Sequence, residues 1–94
     1  MDILKDSRAK IDAIDEQLVT LLVDRFKIVH EVGLIKASQN IPVVQSERAE
    51  AVKSRVAAMA DAKGLDGTLL RAIYTLIIDH AHTLENTVAD QEKT

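Results

Sequence analysis

Ile11, Ile14, Leu18, Leu21, Arg25, Ile28, Val32 and Ile35 follow one another at steps of 3, 4, 3, 4, 3, 4 and 3. This is a heptad seam, a stripe on one side of a helix that demands a partner surface. No proline interrupts it, so the spacing predicts one helix from about residue 4 to about residue 38, with Gly33 a tolerated weak point inside it. Such a helix is about 50 Å long at 1.5 Å per residue, whereas a compact globule of 94 residues has a radius of gyration of about 12 Å. The helix must therefore project from a single chain and expose its seam. A second copy of the same chain is the simplest cover.

The rest of the chain reads as two further helices. The segment SQNIPVVQS, residues 38–46, is the one obvious loop, and Pro42 is expected to end the first helix. Ser46 is the expected N-cap of a second helix over about 46–62, with Glu47 favourable in its first turn and Val52, Val56 and Met59 on its inward face. Gly64 should stop it. Asp66 can then cap a third helix over about 67–88, with Leu69, Leu70, Ile73, Leu76, Ile77, Ala81 and Leu84 inward. The tail ADQEKT is polar and is expected to fray. No convincing strand pattern occurs, IPVVQ standing alone. The expected fold is all-α: one domain over residues 1–94, with a long, a short and a medium helix, paired into an intertwined homodimer.

Composition narrows the chemistry. With one Phe, one Tyr and no Trp, the core has to be aliphatic. The absence of Cys removes disulfides, thiolate metal sites and thiol nucleophiles, and fits a cytoplasmic location. The start MDILKDSRAK carries charges where a secretion signal needs an apolar run, and no stretch approaches the roughly 20 apolar residues of a bilayer span. A net charge of −3 does not point to a nucleic-acid partner. Gly-rich phosphate loops and Ser-His-Asp arrangements are missing. His80 and His82, two apart on a helix, face different ways and do not form a metal pair.

Arg25 is the informative residue. A guanidinium in the seam between Leu21 and Ile28 lies in the core or lines a cavity, and it needs an anion. That anion is either a carboxylate on another helix or a ligand. Lys36, 11 residues further on, returns to within about 20° of the same face and about 16 Å along it, so two long cationic side chains could grip a small dianion. Arg8 is 17 residues before Arg25, about 25 Å away along a straight helix, and cannot reach the same small ligand within one chain. In an antiparallel dimer it can, by entering the site of the other copy.

The string R-x-x-I-D-x-I-D-x-x-L-V-x-L-L-x-x-R over residues 8–25, followed by EVGLIK, by IPV in the loop, by ER at the second helix and by GLD before the third, resembles the all-helical chorismate mutases over about residues 4–88. The resemblance implies an intertwined dimer with two equivalent sites and a Claisen rearrangement of chorismate to prephenate without metal or cofactor. It implies that Arg25 binds one substrate carboxylate and that Arg8 of the partner chain binds the other. Lys36 then contacts the ether oxygen and a carboxylate, Arg48 supplies a further cation, and Gln45 falls where the loop backbone meets the ligand. Glu85 occupies the place where many members have a glutamine that donates to the ether oxygen. The chemistry suits these residue types, because a pericyclic step needs a dianion held in a reactive conformer and fixed donors where charge develops.

Two positions depart from the family pattern. Glu85 must be protonated to donate, which predicts activity favouring mildly acidic pH. Ala49 stands where many members have a glutamate for the C4 hydroxyl, which leaves open isochorismate, as in the related isochorismate–pyruvate lyases, or a 4-amino analogue of chorismate. The loop from Lys36 to Arg48 has the length expected of mutases. A non-catalytic helical dimerisation or regulatory module accounts for the seam equally well, but not for Arg25 and Lys36 on its face.

Overall fold

A computed structural model describes residues 2–92. Among them are three helices and no strand: α1 (Lys5–Gln39), α2 (Ser46–Ala62) and α3 (Gly67–Glu92). None is long and apolar enough to cross a membrane.

The ends of the helices have local causes. α1 stops at Asn40, which adopts the left-handed conformation (φ 56°), and the Ile41 N–H turns back to the Lys36 carbonyl at 2.9 Å. Asparagine tolerates this conformation better than most residues. The stop assigned to Pro42 thus comes two residues earlier. Ser46 is already helical, and the N-cap position belongs to Gln45, whose side chain makes no capping bond. Between α2 and α3 the expected devices are in place. Gly64 takes φ 82°, and the Leu65 N–H reaches the Ala60 carbonyl at 2.9 Å. Asp66 Oδ1 accepts from the Thr68 N–H at 2.9 Å, and Asp61 Oδ1 accepts from the Gly67 N–H at 2.9 Å. α3 continues through Ala89–Glu92, where fraying was expected; Lys93 and Thr94 of that tail lie outside the described residues.

α3 is the hub. It packs against both α1 and α2, while α1 and α2 do not pack on one another. At the α1–α3 crossing Gly33 is buried, and a Cβ there would lie 3.3 Å from Glu85 Cα and 3.4 Å from Val88 Cβ. The weak point in α1 is therefore the position that lets α3 approach. The core is small: Val52, Val56 and Ala60 of α2 with Ile78, Ala81 and Val88 of α3. Ala60 takes the place expected of Met59, which is 48% exposed. Leu69, Ile73 and Leu76, expected inward, are also exposed. Arg71 joins α3 to α2 through Glu50 (2.7 Å) and Ser54 (2.9 Å). The hydrogen bond from Arg71, reinforced by its charge, holds the Glu50 carboxyl below the usual glutamate range, so this surface tie is present at neutral pH and is lost as pH falls through that lowered value.

The radius of gyration is 17.1 Å and the extents are 60 × 27 × 14 Å. On α1, Ile11, Ile14, Leu18 and Leu21 are 54–63% exposed. The single chain thus leaves open the seam that the heptad spacing marks.

Candidate active site

A cavity of about 370 Å³ lies where the middle of α1, the connecting loop, the start of α2 and the second half of α3 converge. Helical spacing explains the residues each element sends there. Arg25, Val29, Val32 and Lys36 follow at steps of 4, 3 and 4 along α1. Arg48, Val52 and Arg55 do the same along α2, with Ala49 beside them, and Ile78, Ala81, His82 and Glu85 form the wall from α3. Val43 and Gln45 close the loop side.

Lys36 and Glu85 meet at the buried end. Lys36 Nζ donates to the Val43 carbonyl at 2.7 Å and lies 2.7 Å from Glu85 Oε1. The two side chains are only 15% and 5% exposed. The approach to Glu85 is a charge contact without hydrogen-bond alignment, so Glu85 Oε1 is buried with no hydrogen-bond partner among the described residues. The Lys36 ammonium offsets part of the cost of burying this carboxyl.

Arg25 settles one of the alternatives left by its spacing. Among the described residues no carboxylate lies within ion-pair distance of it. Its guanidinium carbon instead sits 5.6 Å from the centroid of the Tyr74 ring, a cation–π contact that orients the group and leaves its donors available. The reading of Arg25 as one half of a structural salt bridge therefore fails for the single chain.

Of the residues singled out from the sequence, Arg25, Lys36, Gln45, Arg48 and Glu85 share this cavity, and Ala49 lies among them. Arg8 does not. It is exposed near the start of α1, with Asp2 Oδ2 at 3.5 Å. His80 packs edge-on against Phe26 (5.0 Å, 85°) and takes no part in the cavity. His82 lines the cavity, although its spacing from His80 and from Glu85 marks it only as a weak metal ligand. Arg55 was passed over. Its signal was the step of seven from Arg48, two helical turns on the same face, which many solvated arginines share.

The arrangement offers four cations from two helices, one buried carboxyl and an aliphatic lining. It can hold a small dianion against fixed charges, and it contains no thiol. No group of three or more His, Asp or Glu residues that could hold a metal ion occurs among the described residues.

The profile of the family chorismate mutase type II matches residues 7–86. The chain belongs to that family. It is 28% identical over 86 residues to the T-protein of Haemophilus influenzae, an alignment covering 92% of this chain and 23% of that protein. It is 27% identical over 82 residues to the chorismate mutase of Methanocaldococcus jannaschii, covering 87% of this chain and 83% of that one. It is 30% identical over 89 residues to the 4-amino-4-deoxychorismate mutase of Streptomyces venezuelae, covering 95% and 86%. The chain thus spans less than a quarter of the T-protein and most of the two shorter mutases. In this chorismate mutase type II chain the matched region takes in every charged residue of the cavity.

Proposed function

We propose that the chain is a chorismate mutase that converts chorismate to prephenate, a step of aromatic amino acid biosynthesis, and that it works as a homodimer. The observation that carries the reading is Arg25, which has no carboxylate partner among the described residues, facing the same cavity as Lys36, Arg48 and the buried Glu85. In the rearrangement the ether C–O bond breaks as a C–C bond forms within one molecule, so atoms and electrons balance without a co-reactant. Arg25 and Arg48 hold carboxylates of the dianion, and the backbone at Gln45 lines the ligand. Lys36 meets the ether oxygen as charge grows on it, and Glu85 donates to that oxygen whenever it carries a proton. A millionfold acceleration corresponds to about 8 kcal/mol, which a few preorganised charged contacts in a water-poor cavity can supply.

The exposed seam of α1 supports the dimer. Burying Ile11, Ile14, Leu18 and Leu21 against a second, antiparallel copy would cover the apolar stripe and bring Arg8 of that copy to the cavity. The 30% identity to a 4-amino-4-deoxychorismate mutase favours the amino analogue as the second reading for the substrate. Ala49, with no polar side-chain atom, also leaves room for isochorismate.

The test is a product assay on the purified chain, with chorismate and isochorismate supplied separately at pH 5 and pH 7.5. Prephenate from chorismate, formed faster at pH 5, is the expected outcome. Salicylate and pyruvate from isochorismate, with little prephenate, would assign a lyase instead. A stable dimer that turns over neither compound would leave a binding module.

A further inference from the structure

Four side chains that line the cavity carry positive charge: Arg25, Lys36, Arg48 and Arg55. One carries a carboxyl, Glu85, and its Oε1 already lies 2.7 Å from Lys36 Nζ. Among the described residues, Arg25, Arg48 and Arg55 have no carboxylate within ion-pair distance. His82, half-buried in the same wall, can add positive charge and never negative. Ala49 brings no polar side-chain atom. Once two substrate carboxylates are seated, the lining offers a further positive charge the neutral acceptors of Gln45 and Val43 but no carboxylate other than Glu85, which Lys36 already engages.

We infer that the cavity selects by charge for a substrate ring with a neutral substituent and rejects one with an ammonium, Arg55 acting as a specificity-determining residue. The inference rests on the mutase reading of this cavity and deepens it by naming the substrate class. A hydroxyl both donates and accepts and carries no charge, so it fits among cations. An aliphatic amine is an ammonium at neutral pH. Brought into a partly desolvated site it would meet Arg55 and its neighbours as like charges, a repulsive device of the kind on which specificity often depends. Arg55 is exposed on α2, opposite no acidic partner, so its charge is free to act on what enters.

The experiment compares kcat/KM for chorismate and 4-amino-4-deoxychorismate on the purified chain between pH 6 and 9.5. The expected result is a preference for chorismate of about tenfold or more at pH 7, a factor equal to 1.4 kcal/mol. That preference should shrink as the amine loses its proton. Glu85 and His82 line the same cavity for both substrates, so the ratio is read rather than either rate alone. Arg55→Gln is expected to narrow the ratio at pH 7. Ala49→Glu, which places a carboxylate in the lining, is expected to raise turnover of the amine. Circular dichroism verifies that both variants keep their helix content. Equal or better turnover of the amine at pH 7, or a ratio indifferent to both pH and Arg55→Gln, would overturn the charge selection and leave the mutase intact. Turnover of neither compound would overturn the mutase reading, and this inference with it.

Discussion

A carboxylate accepts hydrogen bonds and cannot donate one, whereas a carboxylic acid does both. Glu85, 5% exposed and beside Lys36, therefore has two possible effects on an ether oxygen gaining charge: repulsion as an anion, donation as an acid. Glu85→Gln is expected to keep the rate at acidic pH and to flatten its pH profile, because the amide donates at every pH. Glu85→Ala removes the donor altogether and should lower kcat by about a hundredfold, the usual loss for one such group. Initial rates of prephenate formation from pH 5 to 8 check both, and a profile for Glu85→Gln that still follows the wild type would remove Glu85 from the chemistry. Arg25 and Lys36 were legible in the sequence because cations on a heptad face break an otherwise apolar rule. Arg55 was not, because an arginine on a short amphipathic helix breaks none. Tyr74 was equally silent: that a ring orients Arg25 depends on how α3 crosses α1, which no spacing within one helix encodes.

At the joint between α2 and α3, Gly67 has no room for a side chain. A Cβ there would stand 2.8 Å from the Ala57 carbonyl oxygen and from both carboxylate oxygens of Asp61. The aspartate could swing away, but the carbonyl belongs to the helix backbone. Gly67→Ala is expected to destabilise the chain by about 1–3 kcal/mol, as overpacking commonly does, with thermal or urea unfolding as the measurement. An unchanged midpoint would mean that the two helices slide apart freely. The boundaries on either side of this joint were readable because Gly64 and Asp66 act within a few residues of themselves. The inward faces were less so. Periodicity marks the apolar stripes of α3 but not which neighbour covers each, so Leu69, Ile73 and Leu76 joined the expected core although they are 40–73% exposed.

For the molecule as a whole, the seam foretold an extended shape, and a radius of gyration of 17.1 Å agrees with it. What lies against that seam is a property of two chains and is not written in one. The separation of about 25 Å along α1 between Arg8 and Arg25 has a consequence for mixtures. If each site draws Arg8 from one copy and Lys36 from the other, then Arg8→Ala and Lys36→Ala, each inactive alone, are complementary lesions. Mixed after unfolding and refolded together, half of the dimers would be hybrids. In each hybrid both lesions fall in one site and leave the other whole, so about a quarter of all sites should recover. Prephenate formation by the mixture, compared with each parent, reads that fraction directly, and no recovery would mean that Arg8 serves its own chain alone. Two broken enzymes that repair one another on mixing would show that each site is assembled from two chains of identical sequence.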